Sequence, residues 1–203
     1  MSAPAASHDE RSWFGHPRGL ATLYFTELWE RFSYYGMRAI LLFFLLAPGA
    51  SGGLGLSTRE AGLIYGTYTM SAFLFAIVGG FVGDRFLGAR RAVKLAAVVI
   101  AAGHFTLAVP SRATFFLGLA LVAVGSGLLK PNMSTLVGDL YGPTDPRRDA
   151  GFSLFYMGIN VGALLGPLAV GFLAQHALWK SLLESFGFDP RSSWHWGFGA
   201  AGV

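Results

Sequence analysis

The stretch from Leu20 to Leu46 is long and apolar enough to cross a bilayer, yet it carries Glu27, Glu30, Arg31, Tyr34, Tyr35 and Arg38. Successive members of that set lie three, one, three, one and three positions apart, which holds their side chains on one stripe of a 3.6-residue helix. An ionised group at the centre of a membrane span costs about 2.5–3.5 kcal/mol even on insertion scales, so the stripe is expected to face a polar cavity and not lipid. Composition agrees with a membrane setting. Hydrophobic residues make up 53% of the chain and charged residues 13%, about half the charged share of a soluble domain. The expected fold class is therefore all-α and polytopic, with spans of about 20 apolar residues as the unit of organisation. Cysteine is absent, which excludes disulfides, thiolate metal sites and a cysteine nucleophile together. No basic run interleaved with aromatics supports nucleic-acid binding.

Residues 1–19 are polar and lack the apolar core and cleavage site of a signal peptide, and are expected to form an uncleaved cytoplasmic tail. A bundle is expected over 20–203, with helices at about 20–46, 57–83, 92–109, 113–138, 150–175 and an incomplete one at 194–203. Ser57 with Glu60 three residues on forms a capping box at the second start. A charged turn from Asp84 to Arg91 separates the second and third spans, Pro110 ends the third, and Lys130-Pro131 is expected to interrupt the fourth. The segment 176–193 reads as an interfacial excursion. Alternating the loops places Arg11, Arg18, Arg85, Arg90, Arg91, Lys94, Arg147 and Arg148 on one side, and only Arg59, Arg112, Lys180 and Arg191 on the other. The positive-inside bias makes the first side cytoplasmic. A run beginning at Trp194 and stopping at Val203 is too short to span about 30 Å, so the chain is expected to be cut within a sixth helix.

Four strings, in order, carry a resemblance. The first is Glu27-Leu28-Trp29-Glu30-Arg31-Phe32-Ser33-Tyr34-Tyr35-Gly36. Gly79-Gly80-Phe81-Val82-Gly83-Asp84-Arg85 with Gly88-Ala89-Arg90-Arg91 comes next, then Gly125-Ser126-Gly127-Leu128-Leu129-Lys130-Pro131-Asn132. The last is Phe152-Ser153-Leu154-Phe155-Tyr156-Met157-Gly158-Ile159-Asn160-Val161-Gly162. Together they resemble the proton-dependent oligopeptide transporters, the POT branch of the major facilitator superfamily, whose first helix carries ExxERFxYYG. The resemblance implies the N-terminal six-helix bundle of a two-bundle carrier, with the C-terminal bundle absent from this chain. It further implies symport of di- and tripeptides with protons by alternating access.

Read from the residues alone, Glu27, Glu30 and Arg31 admit two readings equally, a proton switch or a permanent ion-pair cluster that fixes packing. The resemblance favours the switch and adds substrate-carboxylate recognition. Lys130, deep in the fourth apolar segment, needs an anion, either Glu27 or Glu30 or a bound peptide's carboxylate; snorkelling at the cytoplasmic end is the alternative. Tyr34, Tyr35, Tyr68 and Asn160 offer hydroxyl and amide groups to a peptide backbone, against ordinary interface and interhelical roles. Tyr35 and Asn160 are the stronger candidates. Arg38 extends the stripe or snorkels. Gly80, Asp84, Arg85, Arg90 and Arg91 resemble the superfamily's gating loop and also supply topology-setting charge. Gly62 with Gly66, and Gly158, Gly162 and Gly166, are spaced for close helix approach. His104 lacks a readable partner and is expected to be a hydrogen-bonded core residue. The second-helix histidine known from animal peptide transporters has no counterpart here, which leaves coupling to the glutamates.

The expected partners are thus small peptides, protons, the lipid bilayer and a second helical bundle. The location is a cell membrane, multi-pass, with the N-terminus inside. No cofactor beyond the coupling proton and no metal is expected. Rival readings are a nitrate or other anion carrier, a non-transporting truncated subunit, and an intramembrane enzyme using Glu27 and Glu30 as acid and base. Neither a metal-ligand cluster nor a nucleophile–base pair accompanies those two carboxylates, so the chain is not expected to be an enzyme.

Overall fold

A computed structural model of the chain describes residues 12–202; Arg11 and most of the expected N-terminal tail lie outside that range. The described elements are helical: α1 (Arg18–Leu46), α2 (Thr58–Val82), α3 (Ala89–Leu107), α4 (Arg112–Asp139), α5 (Arg148–Gln175), α6 (Ala177–Ser185) and α7 (Ser193–Gly199). The long helices follow the apolar runs of the sequence. Thr58–Leu87, Arg112–Asp139 and Arg148–Gln175 are long and apolar enough to cross a membrane by composition. α1, at 29 residues, has the length but not the composition, because its charged stripe lowers the average. α3 is 19 residues long and opens with Arg90, Arg91 and Lys94 in its first two turns.

The local signals act as the chemistry requires. Ser57 Oγ accepts the Glu60 amide at 3.3 Å while Glu60 Oε2 accepts the Ser57 amide at 3.0 Å, so two orphan donors at the start of α2 are satisfied reciprocally. At the end of α1 the Ala47 amide still bonds Phe43 O, and Pro48 cannot continue the helix.

Two expectations need correction. Pro131 does not interrupt the fourth helix: α4 is continuous through it, because one missing donor removes a single rung in a helix packed on both sides. The charged turn is shorter than Asp84–Arg91; Gly83–Leu87 stays helical as one π turn, and only Gly88, at φ 74°, breaks the chain direction. Within 176–193, the excursion contains a nine-residue helix, α6, capped by the His176 side chain.

Packing organises the bundle by pairs. α1 lies along α5, and α4 lies between α2 and α3; α7 sits against α5, α3 and α1. Glycine sets the closest approaches. A Cβ at Gly162 would overlap Leu28 O and one at Gly166 would overlap Phe32 O, so the α1 and α5 backbones touch there. Gly79 stands in the same relation to Gly127 across α2 and α4. Gly62 and Gly66 behave otherwise: nothing lies within 4 Å of a Cβ at either, so they provide no helix contact among the described residues. Aromatic rings fill the half of the bundle near the end of α1, with Phe44 4.9 Å from Phe115 and 5.2 Å from Phe198.

Candidate functional site: the charged stripe of the first helix

Glu27 and Lys130 reach the same depth from opposite chain directions. Glu27 follows the start of α1 by nine residues and Lys130 precedes the end of α4 by nine, about 14 Å of helix in each case. Both helix ends lie at the same face of the bundle, so the two charges meet inside it.

Glu27, Glu30 and Arg31 are all buried. Arg31 Nε lies 2.8 Å from Glu27 Oε1, and Arg31 Nη2 lies 2.7 Å from Glu30 Oε2. One guanidinium thus faces two carboxylates from adjacent turns. Glu27 Oε2 and Glu30 Oε1 have no hydrogen-bond partner among the described residues. An excess of carboxylate over cation, with a spare oxygen on each acid, is what a site that takes up one proton requires.

The Lys130 ammonium has no carboxylate within 4 Å among the described residues. The direct pairing with Glu27 or Glu30 expected for it is therefore not what this conformation contains. Its Nζ instead stands 4.3 Å from the centroid of the Tyr34 ring, which is buried. Arg31 and Arg38 approach that ring too, at 5.8 and 6.0 Å. A ring face attracts cations without neutralising them, so Lys130 is held while its charge stays available to an anion. Tyr34, ranked below Tyr35 on sequence grounds, is thereby the side chain at the centre of the cluster. Tyr35 packs edge-on to it at 5.3 Å, and Tyr68 of α2 stacks beside it at 6.4 Å. The Tyr68 hydroxyl is buried and has no partner among the described residues.

Other candidates lie apart. Asn160 is exposed on α5 and donates to Tyr156 O of its own helix at 3.1 Å. Arg38 does not simply snorkel: its Nε donates to Tyr65 Oη at 2.6 Å. Asp84, Arg85, Arg90 and Arg91 are exposed at the α2–α3 turn, and none makes an ion pair among the described residues. Gly80 sits in ordinary contact with Pro131 at 3.5 Å, while Gly83 packs directly on Asn132.

Asn132 and Ser33 carry contacts that the spacing of motifs did not assign. Asn132 Nδ2 donates to Gly79 O at 3.1 Å and to Leu128 O at 2.7 Å, tying α4 to the end of α2. Ser33 hydrogen-bonds His104 Nε2, and His104 Nδ1 lies 2.9 Å from Phe198 O. A carbonyl only accepts, so Nδ1 carries the hydrogen and Ser33 donates to Nε2. His104 is thus the hydrogen-bonded core histidine expected of it, joining α1, α3 and α7. Ser33 and Asn132 stand inside the quoted strings, and their small polar character amid apolar neighbours was the available signal.

Comparison with known proteins gives a consistent picture. The PTR2 model of the POT family matches residues 90–203. The uncharacterized transporter YclF of Bacillus subtilis (strain 168) is 48% identical over 195 residues, covering 96% of this chain and 37% of that protein. A di-/tripeptide transporter of Lactococcus lactis subsp. lactis (strain IL1403) is 49% identical over 169 residues, covering 82% and 34%. Among solved structures, a peptide transporter POT in complex with sulfate superposes with a TM-score of 0.83 at 48% identity, covering 96% of this chain and 37% of that one. A POT family transporter in complex with 5-aminolevulinic acid gives 0.80 at 39% identity, covering 95% and 37%. This chain therefore spans little more than a third of the length of these relatives. With the family model matching more than half of the chain, and the all-helical fold shared with solved transporters, the chain belongs to the POT family.

Proposed function

We propose that this chain forms the N-terminal bundle of a proton-coupled carrier of di- and tripeptides, with its N-terminus in the cytoplasm. The carrying observation is the buried triad of two carboxylates and one guanidinium, beside a lysine with no carboxylate within 4 Å among the described residues. A peptide carboxylate arriving at Lys130 and Arg31 competes with Glu27 and Glu30 for cation. The carboxylate that loses its share of Arg31 becomes the easier one to protonate, and peptide and proton then load together. Di-/tripeptide transport by the Lactococcus relative supports the substrate class. In this reading the ammonium end of the peptide meets the second bundle, the helices move in alternating access, and the proton is the only coupling agent. Glu27, Glu30, Arg31 and Lys130 handle the proton; Arg31, Tyr34, Tyr35, Tyr68, Lys130 and Asn160 border the peptide; Gly80, Asp84, Arg85, Arg90 and Arg91 form the inner gate.

The full reading frame containing this chain, reconstituted in liposomes with an inward proton gradient, is expected to accumulate di-alanine. Glu27→Gln, Glu30→Gln and Lys130→Ala are each expected to abolish uphill accumulation, with counterflow exchange surviving in at least one. Accumulation of nitrate but not di-alanine would reject the peptide reading, and unchanged acid-driven uptake in all three variants would remove the coupling mechanism.

A further inference from the structure

At the end of the bundle where α1 stops, a hollow of about 380 Å³ lies between the α1–α2 loop, the α3–α4 turn and the segment joining α6 to α7. Ser111, Arg112, Asp189, Arg191 and His195 supply its polar walls. A larger apolar hollow of about 830 Å³ is walled by Phe105, Leu173, Trp179, Phe188 and Trp196, and shares Pro110, Ser192 and His195 with the first. Neither is lined by Glu27, Glu30, Arg31 or Lys130.

The polar hollow carries a surplus of positive charge. Arg191 pairs with Asp189 at 2.8 Å, whereas Arg112 makes no ion pair among the described residues. Two guanidiniums against one carboxylate leave one cation over. Arg59, Arg112, Lys180 and Arg191 are the cations of this end, and two of them are gathered at this one hollow. Arg112 also opens α4, whose first amides the Ser111 side chain does not cap, and such donors attract anions. His195 adds an independent demand. It is only 8% exposed; its Nδ1 lies 2.9 Å from Leu107 O and therefore carries the hydrogen, while Nε2 has no hydrogen-bond partner among the described residues. A buried imidazole thus offers an unused acceptor at the wall common to both hollows.

The surrounding segments are fastened to one another and lie at the height of a membrane boundary. A Cβ at Gly52 would overlap Arg191 O, and Trp194 Nε1 donates to Ser51 O at 3.0 Å, so the α1–α2 loop is held against the start of α7. Leu178, Leu182 and Phe186 are exposed at four-residue steps in and just after α6, the apolar stripe of a helix that lies on a bilayer. Trp179 and Trp196 meet edge to face at 5.9 Å beside it, and tryptophan concentrates at headgroup level.

We infer that the two hollows form one binding site for an anionic phospholipid with a hydroxyl-bearing headgroup, of the phosphatidylglycerol class. The phosphate meets Arg112 and the start of α4, a headgroup hydroxyl donates to His195 Nε2, and an acyl chain lies against Trp179 and Trp196. Cation, acceptor and apolar wall match the three parts of such a lipid. The site does not depend on the peptide reading.

The test uses protein from the full reading frame, purified in mild detergent, stripped of lipid and titrated with phosphatidylglycerol or phosphatidylcholine of equal chain length. Native mass spectrometry counts the lipids retained. The basic face at the other end of the bundle is the same in parent and variants, so the readout is the difference between them. Arg112→Gln, at an exposed position, is expected to retain one phosphatidylglycerol fewer than the parent, its affinity for that lipid falling by about fivefold, as one lost cation implies. Its retention of phosphatidylcholine is expected to match the parent's. Trp196→Ala, also exposed, is expected to lose the same phosphatidylglycerol. Glycerol phosphate, a head without chains, is expected not to displace it at equal concentration. A thermal melt gives a second readout: phosphatidylglycerol is expected to raise the melting temperature of the parent more than that of Arg112→Gln. Equal phosphatidylglycerol counts and equal melting shifts in the parent and Arg112→Gln would overturn the site. Displacement by glycerol phosphate would overturn it too, because a soluble anion would then be the ligand.

Discussion

Arg31 is the residue on which the buried charges depend. Its guanidinium touches two carboxylates that have no other cation within 4 Å among the described residues, so its removal leaves adjacent buried acids that repel. Arg31→Met is expected to cost about 3–5 kcal/mol, the range for breaking a buried pair from one side, read as a lowered midpoint in a denaturant titration of the reconstituted chain. Adding Glu27→Gln and Glu30→Gln in the same chain is expected to return most of that loss, since no uncompensated charge then remains. Equal stability of Arg31→Met and the parent would show the cluster to be solvated and the picture of a dry triad wrong. The sequence made the stripe legible because helical spacing fixes which side chains share a face. It left the neighbour of Lys130 open for the same reason. Spacing says nothing of the angle at which α1 meets α4, and that angle decides whether the ammonium finds a carboxylate or the ring of Tyr34.

At the scale of elements, the α1–α5 contact is set by backbone proximity. Gly162 and Gly166 admit no Cβ without displacing the carbonyls of Leu28 and Phe32. Gly162→Val is expected to destabilise by about 1–3 kcal/mol, an overpacking cost, visible as a lowered melting temperature. Gly66→Val, at a position with the same spacing in its own pair but open space around it, is expected to change the melting temperature little. The contrast shows why glycine spacing alone overstated packing in α2: small residues permit contact, and only a partner helix at that face produces it. The loop from α4 to α5 gives a pH prediction. Arg147 donates to Asp145 from its side chain at 3.1 and 2.8 Å and from its amide at 2.9 Å, and these bonds hold the Asp145 carboxyl down at about 2. Its folded pKa lies below its unfolded one, so the stabilisation is complete above about pH 4 and is lost only as pH falls through about 2. The protection factor of the Arg147 amide at about pH 3.5 is expected to be lower in Asp145→Ala than in the parent. The second loop clamp, Arg147 Nη1 to Gly15 O at 3.0 Å, ties the same turn to the segment before α1.

The whole molecule is polarised along the helix axes. Arg18, Arg85, Arg90, Arg91, Lys94, Arg147 and Arg148 gather at the face where α1 and α3 begin and α2 and α4 end. Arg59, Arg112, Lys180 and Arg191 stand at the opposite face, where Arg191 is already paired with Asp189 at 2.8 Å. Cation excess at one face fixes orientation during insertion, because basic loops resist translocation. The face with the α4–α5 loop is accordingly expected to be cytoplasmic, and the α1–α2 loop external. Both loops offer an exposed position in a cysteine-free chain: Thr144 and Ala50. A membrane-impermeant maleimide is expected to label Ala50→Cys in intact cells and Thr144→Cys only after permeabilisation. Reversed labelling would place Lys130 and the Glu27–Arg31 cluster, each about 14 Å along its helix from the basic face, closer to the outside. The proton would then enter from the side where the triad lies shallowest, and Asp84 with its neighbouring arginines would belong to an external gate. Orientation is thus the one global property on which the direction of coupling turns, and a two-position labelling experiment decides it.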